Sequence, residues 1–119
     1  MAQELFIVLQ ERTATVFELL IHPDMDVLLF DALIDSISTH LDARTGWAWV
    51  LDLSKINYLS SAGLGLLVNI RQKVRKGNGK LALCGLSPKL MELFRSCCLE
   101  RLFLIEATRP KALAALSRK

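Results

Sequence analysis

Two adjacent hydroxyls, Ser60 and Ser61, stand where this chain could do chemistry. They follow a strand-like run, Trp47-Ala48-Trp49-Val50-Leu51-Asp52-Leu53, and a short polar loop from Ser54 to Asn57. They precede Ala62-Gly63-Leu64-Gly65-Leu66-Leu67, where a helix opens. Serine is a preferred helix cap because its oxygen accepts an orphan backbone N–H of the first turn. The exposed N–H groups and the helix dipole also favour negative charge at such a terminus. The chain therefore sets hydroxyls where a phosphate would be tolerated, and spacing alone does not separate a cap from an acceptor.

The other reactive side chains form no constellation. His22 and His40 each stand without a serine or cysteine partner in any local motif, and both read as ordinary loop and surface histidines. The carboxylates are scattered over helix surfaces, with no two placed as acid and base. Gly63-Leu64-Gly65 begins a dinucleotide fingerprint, but Val68 occupies the position of its third glycine. No Gly-Lys-Ser, Gly-Lys-Thr or Gly-x-Ser-x-Gly occurs. Cys84, Cys97 and Cys98 are odd in number, two of them adjacent, which suits neither a disulfide framework nor a zinc site. They read as buried thiols in a reducing compartment. No catalytic residue, metal site or cofactor is assigned. Arg71 to Lys80 holds five cations in ten residues, but the only aromatic nearby is Tyr58 and no nucleic-acid module is recognisable.

The hydroxyls need a scaffold, and the rest of the chain supplies one. Leu5 to Leu9 and Thr13 to Ile21 are strand-like runs separated by Gln10-Glu11-Arg12, which predicts an antiparallel hairpin. His22-Pro23-Asp24 breaks the second run, and Asp24 or Asp26 can cap a helix. Phe30, Leu33, Ile34, Ile37 and Leu41 then recur at helical spacing, with Asp31, Asp35, Ser38 and Asp42 mostly outside. The helix from Ser61 runs to about Lys76 and turns Gly63, Leu66, Leu67, Ile70 and Val74 to the core, before Gly77-Asn78-Gly79 stops it. Leu64 and Val68 share a neighbouring stripe with Arg71 and Arg75, either a docking surface or a face covered by a second helix. Lys80 to Cys84 is a further strand, and Ser87-Pro88 starts a helix with Leu90, Met91, Leu93, Phe94 and Cys97 on its apolar face. Phe103-Leu104-Ile105 is a last strand, and Thr108 or Arg109 precedes a C-terminal helix.

Strands and helices in alternation predict an α/β fold, a mixed β-sheet packed with about four α-helices. A chain of 119 residues, 52% apolar and 23% charged, suits one domain over 1–119 with a real core. No apolar run reaches the roughly 18 residues of a membrane span, and the start lacks signal-peptide character, so a soluble cytoplasmic protein is expected. Residues 1–54 carry nine acids against two bases, and residues 55–119 thirteen bases against three acids. That asymmetry marks either a basic binding surface or differently solvated helix faces.

Asp52-Leu53-Ser54 followed by Tyr58-Leu59-Ser60-Ser61-Ala62-Gly63-Leu64-Gly65 resembles the signature of STAS domains, the family of bacterial anti-sigma factor antagonists. Gly79 to Pro88 is similar to the family's next strand and helix start, and Leu99-Glu100-Arg101-Leu102-Phe103 to its approach to the last strand. The resemblance runs in order through most of residues 47–106. It implies a non-enzymatic regulator of transcription by partner switching. The partner would be an anti-sigma factor and serine kinase of the histidine-kinase-like ATPase type, held until a serine at this helix start is phosphorylated. The acceptor position falls on Ser61, with Ser60 the alternative, since Ser60 stands where many members carry Asp. The resemblance places Asp24, Asp52, Ser60, Ala62, Gly63, Leu64, Val68 and Arg71 on the partner surface. It implies no nucleic-acid partner and no membrane insertion, and is compatible with a weak homodimer. A second role within the family is a docking subunit of a lipid-transport ABC system, or a scaffold of a stress-signalling assembly, without a phospho-switch. A nucleotide-binding or enzymatic domain is the third and least supported class.

Overall fold

Apolar runs and stripes, capped helix starts and glycine stops give rise to ten elements among the described residues. The computed structural model describes residues 5–22 and 25–117. In chain order these are β1 (Phe6–Gln10), β2 (Ala14–Leu19), α1 (Val27–Ala43), β3 (Ala48–Asp52), α2 (Ser61–Lys76), β4 (Lys80–Cys84), α3 (Pro88–Ser96), a 3-10 turn (Leu99–Arg101), β5 (Leu104–Glu106) and α4 (Arg109–Leu116). The strands lie side by side as β1-β2-β3-β4-β5. β1 and β2 form the expected antiparallel hairpin, and β2 through β5 run parallel. The mixed sheet and four helices among the described residues match the α/β fold read from the sequence.

Parallel neighbours need crossover helices, and such crossovers are right-handed. α1, α2 and α3 therefore share one face of the sheet. Their apolar stripes meet Phe17, Leu19, Trp49, Leu51, Leu53 and Leu83 there in the larger core. α4 covers the other face, where Ala112 and Leu116 close a smaller core over Val16, Val50, Ala82 and Cys84. The apolar positions predicted for α2 are its buried ones: Gly63, Leu66, Leu67, Ile70 and Val74. Among the described residues no helix is long and apolar enough to cross a membrane.

Among the described residues a side-chain cap starts each α-helix. Asp26 Oδ1 accepts from the Leu29 N–H at 2.9 Å, Ser60 Oγ from Gly63 at 3.2 Å, Ser87 Oγ from Leu90 at 3.2 Å and Thr108 Oγ1 from Lys111 at 3.3 Å.

Some expectations are corrected. Trp47 and Leu53 flank β3 rather than belong to it, and the Trp47 indole N–H instead donates to buried Thr15 at 3.0 Å. Phe103 lies before β5, turned inward against Phe94 with ring centroids 6.0 Å apart. Cys84 is buried as expected, but Cys97 and Cys98 are exposed. Helix α3 ends at Ser96, so Cys97 caps it instead of extending its apolar face, and Cys98 follows with a left-handed φ of 59°. His40 is exposed, in keeping with a surface histidine, with its ring edge-on to Phe6 and Phe17.

Candidate functional site

In a parallel sheet every strand delivers the chain to the same edge. Here β2, β3, β4 and β5 end on one rim, and α1, α2, α3 and α4 all begin there. Ligands of open α/β sheets sit at this rim because loops and helix N-termini converge on it. The first N–H groups of each helix have no intrahelical acceptor and carry the positive end of the dipole.

At α2 the two serines divide the work. Ser60 is the cap: its backbone is extended, its hydroxyl accepts from Gly63, and its carbonyl accepts from the Leu64 N–H at 2.9 Å. Ser61 is the first helical residue and is exposed, as is Ala62. The approach is held by Ile56 and Leu59, 3% and 2% exposed, so the loop that presents the serines is anchored on both sides of exposed Asn57 and Tyr58.

The remaining expected partner residues lie in different surroundings. Gly63 is buried, and a Cβ there would stand 2.9 Å from the Leu59 side chain, so its role is to let helix and loop approach. Asp52 is only 5% exposed and its oxygens are engaged inside the domain. Leu64 and Val68 are partly buried and packed against the main core. Arg71 is half-buried, and its Nε–H donates to the Leu102 carbonyl at 2.6 Å, tying α2 to the approach of β5. Asp24 lies outside the described residues.

Asp52 belongs to a cluster on the α4 face. Glu18 and Asp52 are register partners on β2 and β3, and Cys84 is the partner of Asp52 on β4. Arg109, at the start of α4, reaches across: Nη2 lies 2.6 Å from Asp52 Oδ2 and 3.0 Å from Glu18 Oε2, and Nε lies 3.1 Å from Asp52 Oδ2. The Ser54 N–H donates to Asp52 Oδ1 at 2.9 Å. Burial pushes the Asp52 carboxyl up, but hydrogen bonds from Ser54, then the bonds and charge of Arg109, outweigh it and hold the group below the usual carboxylate range. Hydrogen bonding from Asp52 in turn holds Arg109 more firmly charged. Burial, with the Asp52 charge beside it, pushes the Cys84 thiol up to about 12, so it stays protonated and inert. Gly85, at φ +75°, passes 3.1 Å from Asp52 Oδ1 at its would-be Cβ, space that a larger residue would take from the Asp52–Ser54 turn.

Other rim features escaped the sequence pattern. Tyr58 is 47% and Leu28 76% exposed, both near the helix-start edge of the sheet. A shallow depression of about 510 Å³ lies between Leu20-Ile21-His22 and Lys55 to Tyr58, joining the loop after β2 to the loop after β3. Gly65 is exposed early in α2 with nothing within 4 Å of a would-be Cβ. Its signal was present in the sequence, a glycine inside a helix, but only geometry separates a packing glycine such as Gly63 from an open one.

Fold and rim together define a small α/β domain that gathers four helix N-termini and exposed apolar side chains on one edge. The model of the STAS domain family matches residues 8–112, and the chain belongs to that family. A protein of Bordetella bronchiseptica, BtrV, described as a candidate anti-sigma factor antagonist, is 36% identical over 66 residues, covering 56% of this chain and 57% of that protein. That match spans little more than half of the relative. Among solved structures, a STAS domain protein of Planctomyces limnophilus superposes with a TM-score of 0.82 at 18% identity, over 95% of this chain and 98% of the other. The Bacillus cell fate determinant SpoIIAA in its phosphorylated form superposes at 0.66 and 20% identity, over 92% and 97%. At such identity these structures establish the fold.

Proposed function

We propose that this chain is an anti-sigma factor antagonist whose hold on an anti-sigma factor with serine kinase activity is ended by phosphorylation of Ser61. The observation that carries the reading is the division between the serines: Ser60 is engaged as the α2 cap, while Ser61 offers an exposed hydroxyl one residue on. Family membership, the description of BtrV and the phosphorylated state of SpoIIAA support it. The docking surface consists of Tyr58, Ser61, Ala62 and the open side of α2 at Gly65, with the depression beside Tyr58 receiving partner side chains.

A phosphoserine adds about −1.5 to −2 charge. At the N-terminus of α2 the dipole stabilises an anion by roughly 0.3–1 kcal/mol, so the fold survives modification. In a docked complex the same group must shed water or face like charge, and mismatched charge across an interface costs several kcal/mol. At about 1.4 kcal/mol per tenfold, that is a loss of a hundredfold or more in affinity. The switch therefore acts on binding and leaves stability alone.

The test pairs Ser61→Ala with Ser61→Asp against the cognate kinase by calorimetry. Ser61→Ala binds as the parent does and stays bound when ATP is added. Ser61→Asp binds at least tenfold more weakly and melts within a few degrees of the parent. Equal affinity for the two variants, or phosphate mapped by mass spectrometry to another residue, defeats the proposal.

A further inference from the structure

β1 stands at the end of the strand order, and among the described residues no strand lies beyond it. In an antiparallel ladder, residues that bond their neighbour alternate with residues whose backbone groups face away. The Leu20 N–H donates to the Leu5 carbonyl at 2.8 Å and the Glu11 N–H to the Ala14 carbonyl at 2.9 Å, which fixes the phase at both ends of the register. Leu5, Ile7, Leu9 and Glu11 therefore bond inward to β2, and Phe6, Val8 and Gln10 turn their N–H and C=O groups outward. Soluble domains guard such an edge with charge, proline or a bulge. The run Phe6–Gln10 has none of the three, and its register with β2 is unbroken. Val8 at its centre is 39% exposed, and Phe6, Ile7 and Leu9 are half-buried. Above it, where the His40 ring meets Phe6 edge-on, α1 presents Leu29, Ser36 and His40 at helical spacing, a flank without a carboxylate.

We propose that this edge pairs with the same edge of a second copy of the chain, β1 against β1 antiparallel about a two-fold axis at Val8, joining the two sheets into one. The register follows from the phase: outward-facing residues must stand opposite one another, and only an axis at Val8 pairs all three. Val8 then meets its own symmetry mate, Phe6 meets the mate of Gln10, and Ile7 the mate of Leu9 on the α4 side. A foreign strand would be selected by charges or side-chain pockets along the edge. β1 offers no charge, whereas its apolar run matches itself in this register and opposes no like charges. The contact is isologous and closes at two copies. A strand of five residues a side is smaller than the interface of a permanent dimer, so the pairing is reversible. The axis reverses strand direction, so the two helix-start rims point opposite ways and each Ser61 stays open. The pairing is independent of the phospho-switch.

The test is sedimentation equilibrium of the full chain from micromolar to millimolar concentration, with amide exchange read by NMR on the same samples. The mass rises from one chain towards two, and the Phe6, Val8 and Gln10 amides gain protection with concentration while the Ser61 amide does not. Val8→Lys sets like charges opposite each other at the axis and weakens association at least about tenfold. Val8→Pro removes only an outward N–H and abolishes association. Thermal melts establish that both variants fold, and Val8→Lys, which leaves the backbone as it is, carries the test should the proline variant fail to. A single-chain mass at millimolar concentration overturns the proposal. So does association that Val8→Lys leaves unchanged, or protection that appears at β5 or α2 instead of β1.

Discussion

Replacing Arg109 with Gln removes the cation that faces two inward carboxylates. The Asp52 side chain is 8% exposed, that of Glu18 16% and that of Arg109 29%. Removing one partner of a buried ion pair costs about 3–5 kcal/mol, because the remaining charge stays desolvated. Arg109 is partly solvated and Asp52 keeps the Ser54 N–H, so the loss falls at or just below the lower end of that range, about 2–3 kcal/mol near neutral pH. For a domain of this size that corresponds to roughly 10 °C in melting temperature. The sign of the pH dependence is set by Asp52. Its native carboxyl titrates below its unfolded value of about 3.9, so its contribution is complete above that value and is lost as pH falls through the native one. The gap between parent and variant is therefore widest above about pH 5 and narrows as Asp52 protonates. Urea melts at neutral pH and at two successively more acidic values read the gap, and Asp52→Asn combined with Arg109→Gln recovers part of the loss. A loss below about 0.5 kcal/mol, a gap that does not narrow in acid, or strict additivity in the double variant would refute the reasoning.

The same geometry yields three further outcomes. Ser60→Ala lowers stability by about 1 kcal/mol through loss of the α2 cap, whereas Ser61→Ala changes it by less than about 0.5 kcal/mol; chemical melts of the two variants separate cap from exposed hydroxyl. A thiol reagent at mildly alkaline pH modifies Cys97 and Cys98 in the folded chain and reaches Cys84 only in denaturant, as counted by intact mass. Gly65→Ala, with open space at its Cβ, raises stability by about 0.5–1 kcal/mol in thermal melts and weakens the docking proposed around Ser61 by crowding the partner.

Much of the fold was legible because its signals are short in range. The stripe Leu66, Leu67, Ile70 and Val74 recurs within one helix, the caps Ser60 and Ser87 act over three residues, and the near-continuous apolar run in β3 marks a strand covered on both faces. The serine pair was visible for the same reason. Its division of labour was not, because cap and first helical residue differ by one position and sequence periodicity does not resolve boundaries that finely.

What the sequence determined by itself is the order of elements and the placing of hydroxyls at a helix start, since both depend on neighbours a few residues away. Only the tertiary structure decided which polar groups are free. Asp52 is claimed by Arg109, 57 residues on, and Arg71 by Leu102, 31 residues on. Those pairings depend on strand register and on α4 crossing to the far face of the sheet, while the exposure of Cys97 and Cys98 depends on where α3 ends over the core. A side chain's partner across a sheet is set by the packing of distant segments, and no local pattern encodes it.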